Sequence, residues 1–86
     1  MSILIEVKTT LETADVRKHL DKMEKYRIYA NARWNDPTHF IGAVAGAVVT
    51  DESKDFAHEN GMYVIVQSGE AVEIMEVPEG FRAREW

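Results

Sequence analysis

Ten consecutive apolar residues, Phe40-Ile-Gly-Ala-Val-Ala-Gly-Ala-Val-Val49, constrain the fold more than any other feature of the chain. Side chains of a strand alternate between faces, so a run apolar at every position is a strand covered on both sides, as in a parallel sheet. Its small residues let a helix approach closely. Gly42 and Gly46 also have the spacing of membrane helix dimers, but the run is about half the ~20 residues that span a bilayer, so a buried strand is the better account. Thr50 or Asp51 can cap a helix running through Asn60, with Phe56 and Ala57 as its buried stripe and Gly61 in the left-handed conformation beyond its end. Met62 to Gln67 then reads as a second apolar strand. Two such strands joined by one short helix form a βαβ unit, with parallel strands and a right-handed crossover.

Upstream, Ser2 to Lys8 alternates Ile3, Ile5 and Val7 on one face with Leu4, Glu6 and Lys8 on the other, the pattern of a strand. Thr13 offers an N-cap hydroxyl, Asp15 sits where the helix dipole favours negative charge, and Val16, Leu20 and Met23 follow at helical spacing. These predict an amphipathic helix of about four turns. Tyr26 to His39, with Asn31, Trp34, Asn35 and Asp36-Pro37, reads as a frayed helix end and a loop. Ser68-Gly69 turns the chain into a hairpin strand over Ala71 to Val77, Pro78-Glu-Gly80 ends it, and Phe81 to Trp86 is a tail whose aromatics dock on the core or on a partner. The expected architecture is therefore one α/β domain over residues 1–86, a mixed sheet with two helices in the order β-α-β-α-β-β.

A chain of 86 residues buries only about 60% of the surface that its unfolded form exposes. It has no cysteine, which excludes disulfides and thiolate metal sites and makes oligomerisation the natural compensation. The Met1 end lacks a basic segment followed by an apolar signal core, so a cytoplasmic location without membrane association is expected. The net charge of −5 disfavours a polyanion partner, but residues 1–36 hold seven Lys or Arg against six Asp or Glu, and residues 37–86 three against nine. The first half is thus still able to face nucleic acid.

Glu6 and Lys8, two apart on one strand, leave the same face with Cα atoms roughly 6.5–7 Å apart. A carboxylate so placed can hold Mg²⁺ or Mn²⁺ while the ammonium positions a metal-bound water for attack on a phosphodiester. Glu-x-Lys is also an ordinary pattern for a strand that keeps one face wet, and one Glu holds such an ion poorly. Glu12 or Asp15 could add a ligand, although helix capping explains Asp15 more simply. His19, His39 and His58 have no metal-ligand spacing and read as surface or packing residues. Arg17, Lys18, Lys22 and Lys25, interleaved with Asp21 and Glu24, read as a solvated helix face. No Gly-x-Ser-x-Gly elbow occurs, which sets aside hydrolases of that type.

The run Ile5-Glu6-Val7-Lys8-Thr9-Thr10-Leu11, the helix after it, Gly42-Ala43-Val44-Ala45-Gly46, and Gly61-Met62-Tyr63-Val64-Ile65-Val66-Gln67-Ser68-Gly69 follow one another in a specific order that ends near Pro78-Glu79-Gly80-Phe81. That order resembles the C-terminal PD-(D/E)XK nuclease-like domain of uncharacterised bacterial, often cyanobacterial, proteins, over most of the chain. The resemblance implies the later half of a restriction-endonuclease-like fold, a divalent-metal phosphodiesterase acting on DNA or RNA, Glu6 as the metal-binding acid and Lys8 as the catalytic lysine. It also implies an Asp on a preceding strand hairpin, for which five residues before Glu6 leave no room; Asp36-Pro37 has the wrong place and order to replace it. Three explanations follow: a longer parent protein, an acid supplied by a second chain, or a lost active site. The alternative function is a non-catalytic dimerisation or protein-interaction module, with Trp34, Phe81 and Trp86 as contact aromatics.

Overall fold

The computed structural model describes residues 2–34 and 39–86; the Asn35 and Asp36-Pro37 loop reading and the side chain of Trp34 lie outside the described residues. The order is β1 (Ser2–Leu11), α1 (Thr13–Trp34), β2 (Phe40–Val49), α2 (Asp51–Glu59), β3 (Tyr63–Ser68) and β4 (Ala71–Ile74). The strands form one sheet in the order β1-β2-β3-β4. β1 and β3 flank β2 in parallel, and β4 returns antiparallel along β3. The expected α/β order and mixed sheet are what the chain adopts. In the apolar run, Phe40, Gly42 and Val44 turn toward the helices, and Val44 is fully buried; the face that carries Ala45 and Ala47 has no helix over it among the described residues, which corrects the expectation of cover on both sides.

Both helices pack on one face of the sheet. α1 sends Val16 and Met23 into the core and α2 sends Ala57, where they meet Leu11, Phe40, Val44, Met62 and Val64. Gly42 admits α1: a Cβ there would overlap Met23 Sδ. The Thr50 hydroxyl caps α2 by accepting from Ser53 N–H at 3.2 Å. Gly61, at φ 74°, turns the chain out of that helix. The buried stripe of α2 is Ser53, Ala57 and His58, with Phe56 packed at the core margin.

Three local expectations are corrected. α1 continues to Trp34, well past four turns, because Arg27 and Ala30 prolong its inward stripe. The Arg27 guanidinium lies 5.6 Å from the Phe40 ring centre, so a basic residue serves as a packing side chain. The helix starts at Thr13, so Glu12 takes the capping position, and the Asp15 carboxylate accepts Glu12 N–H at 3.0 Å. The hairpin turn is Gly69-Glu70, with Gly69 at φ 62°, and β4 ends at Ile74.

The tail closes one end of the sheet. Phe40 and Trp86 exchange both main-chain hydrogen bonds, at 3.0 and 2.9 Å, and Arg84 N–H donates to Gly61 O at 2.9 Å. The Trp86 ring stacks on Phe40 and is 6% exposed. It is therefore a core residue of its own chain, which corrects its reading as a partner contact.

Candidate functional site

Glu6 and Lys8 leave β1 on the side covered by α1, and each meets a charge from that helix. Lys22 Nζ lies 3.4 Å from Glu6 Oε2, and Lys8 Nζ lies 3.9 Å from Asp15 Oδ1. The result is a strand-helix seam of alternating charge in which the Glu6 and Asp15 side chains are 26% and 16% exposed and the two ammonium groups are wetter. Such half-wet pairs contribute little to stability. They do set the local chemistry: the one carboxylate of β1 faces an ammonium, and the catalytic-lysine candidate faces a second carboxylate.

Asp15 is held by two partners, Lys8 and Glu12 N–H, so it serves as cap and counter-ion. Among the described residues no group of three His, Asp or Glu side chains could hold a metal ion. His19 lies on the same helix face, 4% exposed, and donates from Nε2 to the Leu4 carbonyl at 3.0 Å. That bond and the burial make it a packing residue that ties α1 to β1. β1 is the terminal strand of the sheet, so one of its edges has no strand beside it among the described residues.

The sequence placed Glu6 and Lys8 together on a face, as the structure does. It offered Asp15 as a neighbour of Glu6 but missed that Asp15 pairs with Lys8 and that Lys22 completes a quartet with them; the signal was Lys22 one full helical turn from Lys18 and two from Asp15, on the flank of the buried stripe.

A second concavity, of about 880 Å³, lies away from that seam, between the end of α2 and the segment running from Met75 to Arg82. His58 lines it, 8% exposed, with its ring 5.7 Å from that of Phe81. Burial, and then the nearby Lys54 charge, lower the His58 pKa below its ordinary value; Asp55 opposes them. His58 Nε2 is buried without a hydrogen-bond partner among the described residues, which fits a neutral imidazole. Phe81 packs between His58 and Tyr63, whose ring centre is 5.2 Å away. His39 is wet and lies 3.9 Å from Glu85.

No helix among the described residues is long and apolar enough to cross a membrane. No family model matches the chain, and no curated protein or solved structure matches it either.

Proposed function

We propose that this chain carries two of the three groups of a metal-dependent phosphodiesterase site on nucleic acid, Glu6 as the ligand for Mg²⁺ or Mn²⁺ and Lys8 as the group that orients the attacking water. The observation that carries this reading is the emergence of both side chains from one face of a terminal strand, within a fold in the order that the nuclease-like resemblance implies. The edge of β1 that has no strand beside it among the described residues supports it, because a strand bearing the missing carboxylate would pair there and set its acid beside Glu6. Chemistry demands that third group: an ion such as Mg²⁺ keeps most of its waters and is held by one or two carboxylates, and a single Glu facing Lys22 is a weak ligand.

The test is a Mn²⁺ titration by calorimetry on the chain and on Glu6→Ala, with plasmid nicking measured on the same samples and on Lys8→Ala. The reading expects weak binding that Glu6→Ala removes, and nicking, if a carboxylate completes the site, that either substitution abolishes. Binding unchanged in Glu6→Ala, or nicking unchanged in Lys8→Ala, would overturn the assigned roles. The competing reading, a non-catalytic interaction module, draws on a separate observation, the uncovered apolar side of the sheet.

A further inference from the structure

The side of the sheet turned away from both helices has no cover among the described residues. It carries Ile3, Ile5 and Val7 on β1 and Val72 and Ile74 on β4, all at least half exposed. Register gathers them on one face. Ile5 and Val7 lie opposite Ala43 and Ala45, Ala45 lies opposite Ile65, and Ile65 and Gln67 lie opposite Ile74 and Val72. Directly opposed residues share a face of the sheet. Because β2 contributes alanines here, the larger side chains of the flanking strands stand as ridges over a trough of about 560 Å³ floored by Ala45 and Ala47. Lys8 borders the trough, and no carboxylate lines it.

We propose that a second copy of this chain covers this face, the two sheets packing face to face across a two-fold axis. Sheets with apolar inner faces pack about 10 Å apart by interdigitating their side chains, and a two-fold contact needs one patch that complements itself. A face of β-branched ridges and an alanine trough meets that need, since the ridges of one copy have a trough to enter on the other. Charge points the same way. With a net charge of −5, two copies repel wherever acid meets acid, and among the described residues the lining of this trough presents no acid to its equivalent.

Size sets the class of interface. Four strands about 4.8 Å apart, averaging about seven residues at ~3.3 Å each, span roughly 19 by 23 Å. The planar footprint is about 440 Å² per copy, and side chains raise the accessible area above it, so the pair buries about 1,000 Å². That is the lower bound for a specific interface and the size class of weak, reversible association. The Glu6 and Lys8 side chains turn to the other side of the sheet, toward α1, so this inference stands apart from the metal-site reading.

The test is sedimentation velocity from about 1 to 300 μM, a range that brackets a micromolar constant, on the chain, Val7→Lys and Val72→Lys. Both positions are mostly exposed, at 71% and 69%, so an added ammonium stays wet in the single chain and the fold is retained. Circular dichroism checks that directly. The expected result is a wild-type mass that rises from one chain toward two, strengthened by sulfate, with both variants held at one chain by at least a tenfold weaker association. A wild-type chain that stays single throughout, or variants that associate as the wild type does, would overturn the proposal.

Discussion

Glu6 and His58 show how single residues acquire chemistry from what lies beside them. Glu6 faces Lys22 at 3.4 Å, which competes with any cation for its carboxylate. Lys22→Met should therefore tighten Mn²⁺ binding several-fold, since a half-wet ion pair is worth up to about 1 kcal/mol; calorimetry measures the change, and an unchanged affinity would mean the metal binds elsewhere. His58 is held neutral by burial, with a folded pKa below 6.5. A depressed histidine binds fewer protons folded than unfolded, so its contribution is complete above pH 6.5 and is lost as pH falls toward the folded value. Denaturant unfolding at pH 7.5 and 5.5 should show a loss of stability at the lower pH that His58→Gln reduces. At Gly61 the constraint is steric: φ is 74° and a Cβ would lie 2.6 Å from Arg84 N. Gly61→Ala should cost about 2 kcal/mol by the same measurement.

At the scale of elements, β2 as a parallel strand and the α2 cap were legible because each rests on a strictly local signal, whereas the cover expected on both faces of β2 was not, because helices pack on one side of the sheet only. An apolar run and a hydroxyl before a helix mean the same thing in most contexts, and Thr50 performs the capping that the sequence implies. Thr50→Ala should lower stability by about 1 kcal/mol. The second half of α1 was not legible, because Ile28 and Tyr29 are at least half exposed while Arg27 turns inward, which blurs the 3.6-residue period. The choice for Trp86 between core and partner stayed open in the sequence for a related reason. Its burial depends on a main-chain pairing with Phe40 across 46 positions, and no local pattern encodes that contact. Trp86→Ala should therefore cost about 3 kcal/mol and loosen the end of β2; thermal unfolding that leaves the midpoint unmoved would contradict the latch.

For the whole molecule, the sheet divides two roles between its sides. One side holds the shared core of α1 and α2 and, at its β1 margin, the charged seam of Glu6, Lys8, Asp15 and Lys22. The other is apolar and has no cover among the described residues. The alternation of Ile3, Ile5 and Val7 was visible in the sequence, but which side the helices would take was not, because β2 is apolar on both faces and satisfies either choice. The partners of Glu6 and Lys8 were hidden for the same kind of reason, since they depend on the position of α1 over the strand.

The most direct measurement of the proposed metal role is Mn²⁺-induced broadening of backbone amide signals in the wild-type chain and in Glu6→Ala. A paramagnetic ion broadens nearby resonances even when its binding is weak. Broadening centred on Ile5 to Lys8 that disappears in Glu6→Ala is the result expected of a metal ligand on β1. Broadening confined to the acidic C-terminal half, or unchanged by the substitution, would contradict it.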